Sequence, residues 1–199
     1  MDGHLLIQNA TLVLPDRVVE GDLRVSGGTI STIAAGGGLS PISQEDVIDA
    51  TGLHLLPGAI DPHVHFREPG HTDREDLESG SRAAAAGGVT SFLDMPNNSP
   101  NATNRATLER KIALAGKKSV THHGFFIGAT KDNIRDLQSV EGMDGVCGIK
   151  IFMGSSTGDL LVHEQEHLED IFANTGGIIT THAEDEERLQ RRTAEFSHR

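Results

Sequence analysis

The sequence predicts an α/β fold: an incomplete (β/α)8 barrel of the TIM type, with about five strands present, preceded by a small β-sandwich-like domain. Three observations predict it. Residues 1–56 hold short apolar runs separated by turn signals, the pattern of an all-β segment. After them, apolar strand-like runs alternate with helical patterns, the signature of a parallel sheet or barrel. The residues with chemical potential, His63, His65, Arg67, Asn97, Lys150 and His182, fall within or just after those runs. Barrels of this type place their sites at the carboxyl ends of the strands.

In the first domain, 1–56, Leu5-Leu6-Ile7 and Leu12-Val13-Leu14 flank Asn9-Ala10. Leu23 and Val25 alternate with Asp22, Arg24 and Ser26, as in a half-buried strand. Gly27-Gly28 suits a hairpin turn, whose two central residues take positive φ. Thr29–Ile33 is then the return strand, residues 36–45 a loop, and Val47-Ile48-Asp49 the start of a further strand.

The second domain, 57–199, follows an apolar run, Leu55–Ile60, that is bent at Pro57-Gly58. Thr72-Asp73-Arg74-Glu75 reads as a capping box opening a helix that ends at Gly87-Gly88. Thr90–Met95 is the second strand, and Leu108, Ile112 and Ala115 give the next helix an apolar face ended by Gly116. Val120–Gly128 is the third strand, and Ile134, Leu137 and Val140 mark a short helix. Val146–Met153 is the fourth. Leu168, Ile171 and Phe172 line a helix stopped by Gly176-Gly177. Ile178–His182 is the fifth strand, and a charged helix begins near Glu184.

Composition narrows the function classes. The formal net charge of −12 argues against nucleic acid or an anionic membrane as partner, because either favours a basic patch. With one cysteine, Cys147, no intramolecular disulfide framework is expected. No signal peptide and no apolar run of membrane-spanning length is seen, so the expected location is the cytoplasm. The composition is compatible with a homo-oligomer.

His63 and His65 are two residues apart, and alternate side chains on a strand share a face. Both imidazoles, with Arg67 two further on, are expected on one face at a strand end. Two neutral imidazoles are half a metal site, and the arginine suits an anionic substrate. Solvated turn histidines are the plain alternative. Against it stand the apolar strand before them, the adjacent arginine and the Pro-Gly on both sides. Lys150 lies between Ile149 and Ile151, and a buried ammonium is costly. It should be paired, for instance with Asp94, or chemically altered. By itself His182 reads equally as a capping or solvated histidine, and Asn97, in Pro96–Pro100, as a turn residue. The Gly154–Gly158 loop lacks the Gly-Lys-Ser/Thr ending of a P-loop. His4, His71, His122, His123, His163, His167 and His198 carry no supporting pattern and read as structural or solvated.

Asp61-Pro62-His63-Val64-His65-Phe66-Arg67-Glu68-Pro69-Gly70 resembles the first-strand motif of the dihydroorotases, in the cyclic-amidase branch of the metal-dependent amidohydrolases. Asp94-Met95-Pro96-Asn97, Gly148-Ile149-Lys150-Ile151-Phe152-Met153-Gly154-Ser155-Ser156-Thr157-Gly158 and Thr181-His182-Ala183-Glu184 follow in that family's order. The resemblance runs nearly end to end. It implies a small β domain beside a barrel, and two zinc ions held by His63, His65, Lys150 and His182. Manganese, cobalt or iron could substitute on the same donors. It implies that Lys150 is carboxylated by carbon dioxide, as a carbamate bridging both metals. It implies that Arg67 and Asn97 bind substrate, the arginine by a bidentate pair with a carboxylate and the asparagine by hydrogen bonds to a cyclic amide.

The implied reaction is reversible hydrolysis of dihydroorotate to N-carbamoyl-aspartate, in pyrimidine biosynthesis, with water activated by metal. That family also uses an aspartate at the eighth strand, as proton shuttle and ligand, and a second histidine at the sixth. Neither has a counterpart in these 199 residues, so no catalytic residue is assigned within them. The chain is expected to be an N-terminal part, inactive alone, with its general base beyond Arg199. Two alternatives remain. An allantoinase or hydantoinase shares the His-x-His strand and the lysine, but its substrate has no ring carboxylate for Arg67. A non-catalytic scaffold related to such barrels is the other.

Overall fold

The computed structural model describes residues 3–156 and 158–197. Thr157, in the Gly154–Gly158 loop, and His198 lie outside the described residues. The chain divides into two compact units, Met1–Pro57 and Gly58–Arg199.

The first unit is one mixed sheet built from β1 (His4–Val13), β2 (Val18–Ser26), β3 (Thr29–Ala35), β4 (Glu45–Asp49) and β5 (His54–Leu55). The order is β3-β2-β1-β4, with β5 also on β1. β2 runs antiparallel to both β1 and β3, whereas β4 and β5 are parallel to β1. Gly27 and Gly28 take φ of 57° and 77°, the left-handed pair that turns β2 into β3. Ala10, Leu12, Leu23 and Ala50 form its small core. Asp22 is buried, with its two oxygens accepting from Asn9 N and Leu39 N, each at 2.9 Å. These amides, Asn9 first, hold its carboxyl below the usual range.

The second unit alternates strand and helix: β6 (Ala59–Val64), α1 (Leu77–Ala86), β7 (Val89–Asp94), α2 (Arg105–Lys118), β8 (His122–Gly128), α3 (Ile134–Ser139), β9 (Val146–Phe152), α4 (Gln165–Asn174), β10 (Ile179–His182) and α5 (Glu186–Phe196). The strands are all parallel and adjacent in chain order, β6-β7-β8-β9-β10, which gives a curled half-barrel of five strands. Leu77, Phe92, Leu108, Phe125, Ile127, Ile149, Ile151, Leu168 and Ile171 share one core between sheet and helices. Strand residues alternate in direction, so those between the core residues point to the opposite, inner face.

Local chemistry moves several boundaries from their sequence positions. α1 does not start at Thr72. Its N-cap is Asp76, whose Oδ1 accepts from Ser79 N at 2.7 Å, and Glu75 Oε1 accepts from the Ser79 hydroxyl. α2 passes through Gly116 to Lys118 and opens with a capping box between Asn104 and Thr107. His54-Leu55 pairs with β1 in the first unit, and the first barrel strand begins only at Ala59.

Candidate active site

Val64 and Phe66 pack against the helix-side core. His63 and His65, alternating with them, are thereby turned to the inner face. Their ring centroids lie 5.3 Å apart. The pairing of β6 with β7 shifts register between Asp61 and Val64, around Pro62, which has no N–H to give the ladder. Asp61 Oδ1 accepts from His63 N at 3.1 Å across this irregular stretch. Strand alternation does not extend to Arg67. Its φ is 60°, so the chain has left the extended conformation there. Arg67 still stands close enough to His65 for its charge to depress that imidazole's pKa. The residue is partly buried, and its guanidinium has no hydrogen bond or ion pair among the described residues.

Asn97, after β7, meets His65: Nδ1 of the ring lies 2.7 Å from Asn97 Oδ1. An oxygen acceptor at that distance places the proton on Nδ1 and leaves the Nε2 lone pair free. Burial is the main cause lowering the His65 pKa, opposed by the Asn97 bond. The His63 pKa is also lowered, first by burial, then by the charges of Lys150 and His182. Lys150 and His182 are therefore each within electrostatic reach of His63.

Ile149 and Ile151 belong to the helix-side core, which turns Lys150 to the inner face, 1% exposed. No carboxylate meets it among the described residues; its amine stands 5.0 Å from the centroid of Phe152. The expected Asp94 partner is taken. Asp94 shares the helix side with Phe92, and its Oδ2 lies 2.8 Å from Lys111 Nζ instead. Burial pushes the Lys150 pKa down, toward the neutral amine. His182 pairs in register with Phe152, rings 6.4 Å apart, and its Nε2 lies 2.9 Å from Glu184 Oε2. Glu184 is held below the usual carboxylate range, first by Ser155 and then by His182.

The fold thus collects His63, His65, Lys150 and His182 at the carboxyl ends of β6, β9 and β10, with Asn97 and Arg67 beside His65. Among the described residues no three His, Cys, Asp or Glu side chains converge as a ready cation cage.

Sequence reading missed a polar network behind this site. Lys111, on α2, reaches Met95 O at 2.7 Å and Asn98 Oδ1 at 2.5 Å besides Asp94. Asp94 Oδ1 accepts from Phe66 N at 3.0 Å. Asn98 Nδ2 donates to Glu68 O at 3.1 Å, and the Glu68 carboxylate accepts from Leu77 N and Lys118. The available signal was a lysine in the apolar stripe Leu108, Lys111, Ala115.

The profile of the Amidohydrolase family matches residues 54–190. The chain belongs to the amidohydrolase family. This amidohydrolase chain is 38% identical over 182 residues to the dihydroorotase of Methanosarcina acetivorans, covering 90% of itself and 38% of that protein. It is equally 38% identical, over 201 residues, to the allantoinase of Deinococcus radiodurans, covering 97% of itself and 43% of the relative. The solved structure of the L-hydantoinase (dihydropyrimidinase) from Arthrobacter aurescens superposes with a TM-score of 0.90 at 27% identity, over 100% of this chain and 44% of that one. The amidohydrolase chain therefore spans about two fifths of the length of these relatives.

Proposed function

We propose that this amidohydrolase chain contributes the first five strands of a metal-dependent cyclic-amide hydrolase whose substrate is dihydroorotate and whose product is N-carbamoyl-aspartate. The observation that carries the substrate choice is Arg67: a partly buried arginine beside His65 with no carboxylate partner among the described residues. A ring carboxylate gives it a bidentate partner. A neutral ring would offer it no such partner.

In this reading His63, His65, His182 and a carboxylated Lys150 hold two divalent metals, zinc by preference for imidazole and oxygen donors. The fit rests on the environment of Lys150, a buried amine without an anion among the described residues, and on the free Nε2 of His65. Bound there, the metals would lower the pKa of a water and polarise the ring carbonyl. The chain's own residues orient the substrate. Arg67 takes the carboxylate. Asn97, with Oδ1 committed to His65, keeps its Nδ2 donors for a ring carbonyl. No helix among the described residues is long and apolar enough to cross a membrane, and the reading places the protein in the cytoplasm.

The equal identity to an allantoinase supports a second reading, a neutral-ring amidase of the allantoinase or hydantoinase kind. Turnover of dihydroorotate, allantoin and hydantoin by a complete barrel carrying these residues separates the two. Dihydroorotate should be preferred. Faster hydrolysis of either neutral ring would replace the first reading by the second.

A further inference from the structure

We infer that Lys111 is a positioning residue: through Asp94, Met95 and Asn98 it sets the Asn97 amide that holds the His65 proton on Nδ1. The inference rests on the proposed function only in taking His65 and Asn97 as members of that site. Lys111 is 1% exposed, and its amine meets three oxygens: Asp94 Oδ2 at 2.8 Å, Met95 O at 2.7 Å and Asn98 Oδ1 at 2.5 Å. Two of the ammonium's three N–H donors are spent on Met95 O and Asn98 Oδ1, and Asp94 Oδ2 adds an ion-pair contact. Met95 and Asn98 bracket Asn97 in the chain. Asp94 carries the brace to the other loop, because its Oδ1 accepts from Phe66 N, the amide next to His65, at 3.0 Å. Asn98 does the same further along, donating to Glu68 O at 3.1 Å. The loops after β6 and β7 are thus tied together on both sides of the 2.7 Å His65–Asn97 contact.

Packing alone does not call for a lysine here. Apolar replacements of buried ion pairs are often neutral or stabilising, since desolvation opposes the pair. An apolar side chain of the same volume would fill the space beside Phe125, whose ring centroid lies 4.9 Å from the amine. It could not draw three oxygens to one point. That convergence fixes where Asn97 Oδ1 sits. An acceptor on Nδ1 fixes in turn which nitrogen of His65 carries a lone pair and where it aims, the role outer hydrogen bonds play for ligating histidines.

The test reads the His65 ring directly, by long-range proton–nitrogen correlation on the 199-residue chain at a pH where the imidazole is neutral. In the wild type, Nδ1 should be protonated and Nε2 bare. Lys111→Met combined with Asp94→Asn removes both charges and keeps the volume. It should turn His65 into a mixture of tautomers while the His4 ring, in the other unit, keeps its signals. Asn98→Leu leaves the Lys111–Asp94 pair in place, removes one arm, and should shift His65 in the same direction by less. A folded double variant with His65 still wholly protonated on Nδ1 overturns the inference. So does unfolding of both variants, which would make Lys111 a core residue and nothing more. Adding zinc to a complete barrel carrying these residues separates this from the functional reading. If the His65 Nε2 signal ignores zinc in a complete barrel carrying these residues, the metal assignment fails while the tautomer result on the 199-residue chain stands.

Discussion

A lysine amine that is 1% exposed with no anion beside it works against folding for as long as it stays a simple lysine. Lys150 is in that position among the described residues, and its pKa is pushed below 10.5 by burial. The consequence for stability has a definite sign. The unfolded chain binds the proton more tightly than the folded one, so stability rises with pH up to the unfolded value. Lys111 shifts in the same direction, so the variant isolates the contribution. Lys150→Met should raise the urea midpoint of the metal-free chain near neutral pH and flatten its rise toward pH 10.5. In a complete, metal-loaded enzyme the same change should remove metal and activity. An unchanged midpoint together with retained metal would show that Lys150 is neither strained nor a ligand. Arg67 gives the matching test on the substrate side. Arg67→Ala in the complete enzyme should weaken dihydroorotate by at least about 1.5 kcal/mol, roughly tenfold in KM, because a charged, partly desolvated pair is lost. A smaller loss, measured by steady-state kinetics, removes the carboxylate from Arg67.

At the scale of elements, β10 brings His182 to the site, and its seat depends on Gly148. Gly148 has φ of 154°, and a Cβ there would run into the backbone oxygen of Ile178. That same oxygen accepts from Ile149 N at 2.9 Å, so it cannot move aside without breaking the approach of β9 to β10. Gly148→Ala should cost about 1–3 kcal/mol, the usual range for overpacking, and should displace the His182 ring signals. A native spectrum with an unchanged urea midpoint would show that β10 is seated by other contacts. The strands themselves were legible because Ile149-Lys150-Ile151 and Phe92-Leu93-Asp94 show which residue faces which way. The same parity already forbade the Lys150–Asp94 pair: Asp94 shares a side with Phe92, and Lys150 is opposite to Ile149. Helix starts were less legible. Thr72-x-x-Glu75 and Asp76-x-x-Ser79 both offer caps, and the choice falls to the one whose helix buries Leu77. Lys111 was hidden because Arg110, Lys117 and Lys118 make its helix look evenly solvated, whereas burial depends on the face it shares with Leu108 and Ala115.

The whole molecule has a half-barrel whose helix side is covered and whose two border strands, β6 and β10, each pair on one side only among the described residues. Border strands offer unpaired N–H and C=O groups to any passing strand. Ile60 on β6 is 65% exposed, and Ile178, just before β10, is 67% exposed. Parallel sheets are normally buried on both faces, and here α5 adds no buried residue. The metal assignment is short of donors as well. His63, His65 and Lys150 would serve one ion, and His182 with the same carbamate the other. A bridging carbamate needs both ions to persist, so weakness at either is shared. The 199-residue chain should therefore self-associate as its concentration rises, hold zinc weakly even with bicarbonate present, and fail to turn over dihydroorotate. Sedimentation velocity, bound-zinc analysis and a turnover assay on the same preparation check all three. A monomer at all concentrations that holds two zinc ions tightly would mean that this half-barrel completes its own site, with donors outside the four assigned here.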